Sequence, residues 1–256
     1  MNLSKRFQGK HGRAWTIAAA LAVGLAAALF SAIPRTLAAA TTQRDLPIYC
    51  VQKDTNVCSL TFDAAWGNED TQQLIDILGK YHVKATFFVV GEWVDKYPES
   101  VKALFDAGHE IMNHSADHAH FPRLSPDQMI ADLKTCNEKI AKVTGVTPTL
   151  FRPPYGDYND KVINTVNRMP MYPIQWSVDS LDWKNPGSDA IVKRVLSKTQ
   201  PGSIILFHNA APDTPGALPA IIEGLQKDGY SLIKVSELIY PDNYTVDYTG
   251  MQHKRT

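Results

Sequence analysis

Between residues 57 and 235 short apolar runs alternate with longer stretches of amphipathic period, and this alternation constrains the fold more than any other feature of the chain. VCSLTFDA (57–64) reads as a buried strand. Residues 68–82 follow, with Leu74, Ile75, Ile77 and Leu78 making an apolar helical face. KATFFVVG (84–91) is the next strand, a helix rich in Val, Leu and Phe runs to Gly108, and HEIMNHS (109–115) is a third strand. Ser125-Pro126-Asp127-Gln128 opens a helix with an N-cap, a proline at the first position and a capping-box glutamine, and Gly145 closes it. TLFRPPYG (149–156), MYPIQWSV (171–178), SIILFH (203–208) and YSLIKV (230–235) bring the set to about seven strands. Pro173 puts its strand at an edge or a bulge. Strands separated by helices pair as parallel βαβ units, so the expected fold is α/β, a distorted (β/α)7 barrel.

The unusual polar residues collect at the carboxyl ends of these strands: Asp63, then His114 and His118, then Arg152, then Asp179 and Asp182, then His208. A single strand-end aspartate is most simply a helix N-cap, and a single histidine a hydrogen-bonded core residue. Five strands ending in ionisable groups are not explained that way. In a parallel barrel those ends surround one mouth, where catalytic groups gather. His114 and His118 lie four residues apart, a spacing that presents both rings on one face of a helical turn and suits a borderline cation such as zinc.

TFDA (61–64), HSADH (114–118), RPPYG (152–156), DSLDW (179–183) and LFH (206–208) resemble, in order and spacing, the five motifs of the NodB-homology polysaccharide deacetylases, carbohydrate esterase family 4. The likeness spans residues 57–239, and TFDAAWGNEDTQ is similar more narrowly to the sporulation-type members. The resemblance implies a distorted barrel that removes acetyl groups from N-acetylated sugars with help from a divalent metal, zinc or cobalt. It gives Asp63 as the general base, His114 and His118 as metal ligands and Arg152 as the group that orients Asp63. Tyr155 would hold the oxyanion through its backbone amide. His208 would be the general acid, raised by Asp182, and Trp183 and Leu206 would wall the acetyl pocket. The substrate implied is peptidoglycan or a chitin-like polymer. Independently of any family, amide hydrolysis needs an activated water, a polarised carbonyl and a proton for the leaving amine.

The family pattern has two consecutive aspartates in the first motif, the second binding the metal. Here the second position is Ala64. Three consequences stand open: a weakened metal site completed by water, substrate, Asp117 or Asn113; coordination by Asp63 itself; or loss of catalysis, leaving a glycan-binding cleft.

Residues 1–13 are basic, 14–33 are uncharged and mostly apolar, and 34–56 are a linker with a leading strand. Twenty apolar residues at a rise of about 1.5 Å each reach across a bilayer core of roughly 30 Å. The basic flank directs the remainder out of the cytoplasm. An uncleaved anchor in the cytoplasmic membrane and a secretory signal cut near Ala40 both fit. Residues 1–44 carry a formal +6 and the remainder −6, so there is no basic stripe for nucleic acid. No protein partner is inferable. Cys50 and Cys58 are close enough in sequence to pair across a short loop, whereas Cys136 falls in a helix. His109 and His120 read as structural or solvent-facing, Trp66 and Trp93 as core residues or sugar platforms, and residues 240–256 as a polar tail.

Overall fold

Residues 44–255 are described by the computed structural model. The basic segment, the apolar run 14–33 and the linker as far as residue 43 lie outside the described residues. Among the described residues no helix is long and apolar enough to cross a membrane.

In chain order the elements are β1 (Cys50–Val51), β2 (Val57–Ala64), α1 (Thr71–Lys80), β3 (Thr86–Val89), α2 (Gly91–Lys96), α3 (Pro98–Asp106) and β4 (Glu110–Asn113). There follow α4 (Pro126–Thr144), β5 (Leu150–Phe151), α5 (Asp160–Val166), β6 (Tyr172–Pro173), β7 (Val178–Asp179), α6 (Ser188–Lys198) and β8 (Ile204–His208). Then come α7 (Thr214–Lys227), β9 (Ser231–Leu232), α8 (Val235–Leu238), β10 (Tyr244–Val246) and β11 (Met251–Lys254). Parallel pairing orders the main sheet β6-β5-β4-β3-β2-β8-β7, with β9 beside the start of β2. The sheet curls into an incomplete barrel whose end strands, β6 and β7, do not pair.

Alternation along β2 explains both layers. Cys58, Leu60, Phe62 and Ala64 enter one apolar cluster with residues of α1, α2, α3, α4, α6 and α7, which cover the outside of the sheet. Ser59, Thr61 and Asp63 take the opposite face, toward the barrel interior. A second cluster, including Ile48, Phe88, Met112, Leu150, Ile174, Ile204 and Leu238, fills the interior away from the mouth.

Several expected boundaries shift for identifiable reasons. The helix expected up to Gly108 is two, because Pro98 opens a new one after Tyr97. RPPYG cannot extend β5, since Pro153 and Pro154 lack amide hydrogens; the segment turns instead, with Tyr155 at φ 61° and Gly156 at φ 66°. Pro173 lies on the edge strand β6, as its missing donor requires. Residues 240–255 of the expected polar tail carry a small sheet. β10 and β11 pair antiparallel, and β11 pairs with β1. All three cysteines are free, and Cys58 is buried in the helix-facing cluster.

Candidate active site

The carboxyl ends of β2, β8, β4 and β7 open onto one cleft of about 650 Å³. Asp63, His114, His118, Tyr155, Trp183, Leu206 and His208 all line it, while Arg152 and Asp182 are fully buried behind it. Register places Asp63 and His208 side by side at the ends of neighbouring strands.

Asp63 is gripped from within the barrel. Arg152 Nη1 donates to its Oδ1 at 2.7 Å and to Thr61 Oγ1 at 2.8 Å, and Arg152 Nη2 donates to the Gln175 carbonyl at 3.1 Å. Thr61 sends its own proton to the Ile205 carbonyl at 2.7 Å. Burial by itself would push the Asp63 carboxyl up. The guanidinium of Arg152, with His114 and His208 nearby, instead holds it below the usual carboxylate range. Asp63 is therefore ionised at neutral pH and ready to accept a proton.

On the adjacent strand His208 Nδ1–H donates to Asp182 Oδ1 at 2.8 Å, which turns Nε2 away from that carboxylate. Burial opposes protonation of His208. The hydrogen bond and charge of Asp182, with Asp63 and Asp179, outweigh it and raise the imidazole above its ordinary value. Asp179 is occupied in its own turn, accepting from the Leu181 amide at 2.8 Å. A carboxylate held low beside an imidazole held high is the division of labour that acid–base chemistry at one bond requires.

The segment 114–118 is not the helical turn that its spacing suggests. Ser115 and His118 are left-handed, at φ 74° and 60°. Side chains hold the loop: Asn113 Oδ1 accepts from Ser115 N at 2.7 Å, Asp132 Oδ1 from Ala116 N at 2.9 Å and Ser115 Oγ from His118 N at 2.8 Å. The two imidazoles still meet, with ring centroids 5.0 Å apart. His114 Nδ1–H donates to the Arg152 carbonyl at 2.7 Å, leaving the lone pair on Nε2. Burial keeps both rings from protonating, and pushes His118 down to about 4.

These are two nitrogen donors, and a third ligand is missing. Ala64 sends only a methyl group, into the helix-facing cluster. The Asn113 amide is committed to the Leu133 carbonyl and Asn137, and Asp117 lies beside Asp132. Asp63 Oδ1 is taken by Arg152, and its Oδ2 lies 3.5 Å from His114 Nε2. Among the described residues no three His, Cys, Asp or Glu side chains converge as a metal site requires. A catalytic zinc takes three protein ligands. The residues present do not fit that set.

In the aromatic wall His120 takes a structural, partly exposed place. Its ring stacks on Tyr155 at 4.2 Å and its Nδ1 hydrogen-bonds Asp157 at 3.0 Å. His118 packs against Tyr155 on one side and Trp66 on the other. Trp66, Tyr155 and Trp183 are each more than half exposed, whereas Trp93 is core. The Tyr155 amide donates to no group among the described residues. Sequence reading missed Thr61 and Gln175, the supports of Arg152. Thr61 had a signal, two residues before Asp63 on the same strand face; Gln175 had none.

Comparison with known proteins bears directly on this cleft. A sequence model of the polysaccharide deacetylase family matches residues 51–174. YlxY of Bacillus subtilis, an uncharacterized protein, is 37% identical over 75% of this chain and 60% of its own length. PdaC, a peptidoglycan-N-acetylmuramic acid deacetylase of the same organism, is 37% identical over 73% of this chain and 40% of its own. A peptidoglycan-N-acetylglucosamine deacetylase of Bacillus cereus is 36% identical over 74% of this chain and 91% of its own. The chain thus spans little more than half, or less, of the first two relatives. The crystal structure of a carbohydrate esterase family 4 pseudoenzyme from Bacillus anthracis matches at TM-score 0.73 and 34% identity, over 82% of this chain and 73% of that one. A mutant of that protein, also at TM-score 0.73, is described as having restored enzymatic activity.

Proposed function

The chain belongs to the polysaccharide deacetylase family, and on that premise we propose that it removes N-acetyl groups from a cell-envelope polysaccharide, peptidoglycan first. The observation that carries this reading is the pairing of Asp63–Arg152 with Asp182–His208 on adjacent strand ends of one cleft. A structure evolved only to bind glycan has no need of an imidazole tuned upward beside a carboxylate tuned downward.

In this scheme Asp63 takes a proton from the water that attacks the acetyl carbonyl. The oxyanion that forms is met by the free amide of Tyr155. His208 then gives its proton to the sugar nitrogen, the C–N bond breaks, and acetate and a free amine result. Arg152 keeps Asp63 ionised and aimed. Trp183 and Leu206 enclose the acetyl methyl, and the exposed face of Trp66 offers a stacking surface to a sugar ring. Deacetylases of this family are metal-dependent, and a bound divalent ion supplies Lewis acidity to such a reaction. Zinc or cobalt at His114 and His118 would have only two protein ligands here and would be weakly retained.

That deficit favours a second reading: a glycan-binding protein on an eroded esterase cleft. Ala64 is the observation behind it, and the likeness to a pseudoenzyme structure supports it. In either reading the basic flank and the apolar run 14–33 support a body outside the cytoplasmic membrane, anchored there or released near Ala40. The resemblance of TFDAAWGNEDTQ to sporulation-type members supports the cell wall of a spore-former as its setting.

The test is acetate release from N-acetylglucosamine oligomers and from peptidoglycan, with added zinc or cobalt and with chelator. Glycan binding is measured in parallel, and Asp63→Asn serves as control. Release that is lost in Asp63→Asn establishes the hydrolase. Binding without release from either polymer establishes the second reading.

A further inference from the structure

We infer that Thr214 is a positioning residue for the proton donor of the cleft: its hydroxyl fixes the Asp182 carboxylate in the orientation that holds His208. The inference rests on the acid role proposed for His208, but its structural core is independent of turnover.

Four donors converge on the Asp182 carboxylate, which is fully buried. Oδ1 accepts from His208 Nδ1 at 2.8 Å and from the Trp183 amide at 2.9 Å. Oδ2 accepts from the His208 amide at 2.8 Å and from Thr214 Oγ1 at 2.7 Å. Two of these donors are backbone amides, and a third is the imidazole that the carboxylate serves. Thr214 supplies the only other side chain among the described residues that hydrogen-bonds the Asp182 carboxylate.

The hydroxyl has been brought from a distance and locked there. Thr214 is fully buried at the first position of α7, 32 residues beyond Asp182. Its amide donates to the Ala211 carbonyl at 3.0 Å, closing the turn whose Ala211 and Pro212 line the cleft. The preceding residue ties the turn to the start of α6: Gly187 N donates to Asp213 Oδ2, and Ser188 Oγ to the Asp213 carbonyl, both at 2.8 Å. With one hydrogen to give, Thr214 gives it to Oδ2.

Without that hydroxyl, Oδ2 keeps a single donor in a dry site, and the carboxylate is held less firmly against turning about its own axis. The Nδ1–H···Oδ1 bond then loosens, and with it the tautomer and ring orientation that present Nε2 to the leaving nitrogen. A hydroxyl on the smaller serine suffices for the bond, whereas the isosteric valine fills the space without donating.

The experiment is proton NMR of the His208 Nδ1 hydrogen in the full-length protein, assigned by its absence in His208→Gln, with its solvent exchange rate. The wild-type proton should be downfield and protected. In Thr214→Val it should exchange at least tenfold faster, and in Thr214→Ser it should stay protected; Thr214→Ala serves if the valine variant fails to fold. Exchange at the wild-type rate in a folded valine or alanine variant overturns the inference, as does an unprotected Nδ1 proton in the wild type. Since no turnover is read, this result stands apart from acetate release. Where acetate is released, Thr214→Val should lower kcat about tenfold and leave KM unchanged.

Discussion

Position 64 ends β2 with its side chain in the helix-facing cluster, fully shielded from water. A methyl group is at home there. A carboxylate in the same place has no cation or donor within the cluster, so leaving it unpaired costs on the order of 3 kcal/mol. A divalent ion bound with the help of that carboxylate would offset the cost through linkage. Ala64→Asp should therefore unfold at a lower temperature than wild type in chelator and gain several degrees with zinc, while wild type responds little. Equal zinc responses in the two proteins, read by calorimetry, would show that the side chain at 64 does not limit metal binding. Single residues were legible in the sequence where they carried their own charge: Asp63, Arg152, Asp182 and His208 stood out at strand ends. Their supports did not. Thr61, Gln175 and Thr214 are ordinary residues whose partners lie 23 to 144 residues away, so only the fold shows what they hold.

Elements were legible in proportion to how locally they are determined. Helix α4 carries its own start and stop. Ser125 Oγ accepts from Gln128 N at 3.3 Å, Gln128 Oε1 accepts from Ser125 N at 2.8 Å, and Gly145 ends the helix at φ 76°. Ser125→Ala should cost about 1 kcal/mol in urea unfolding with no change in the slope, since one capping bond is lost and no packing changes. A loss below the error of the measurement would mean that tertiary contacts alone hold this terminus. Strand β2 was equally plain, its apolar residues recurring at every second position. β5, β6 and β7 are two residues each and owe their existence to pairing partners rather than to their own pattern. The same limit explains the segment 114–118. HxxxH spacing fits a helical turn, but backbone amides captured by Asn113, Ser115 and Asp132 hold a loop with left-handed residues instead.

At the scale of the whole molecule, sheet order decides the chemistry. Residues 63 and 208 are separated by most of the barrel in sequence, yet β2 and β8 are neighbours, so Asp63 and His208, the proposed base and acid, stand in register. The helices that separate the strands bury one face of the sheet and leave the strand ends to the cleft. Fold class and the position of the mouth follow from the alternation of strands and helices. The capture of residues 240–255 as a small sheet against β1 does not, because its pairing joins the two ends of the described chain. The central claim is that the two charge pairs act together as base and acid, and the pH profile of acetate release tests it most directly. Asp63 is held low and His208 is held high, so both are in their working forms at pH 6.5. Activity should persist through that pH and fall only as the medium passes the raised value of His208, where the imidazole loses the proton it must donate. Asp182→Asn removes the main cause of that rise, so it should lower the rate and move the alkaline limb to lower pH. A limb that does not move in Asp182→Asn, or no acetate at any pH from a folded protein that binds glycan, would contradict the account.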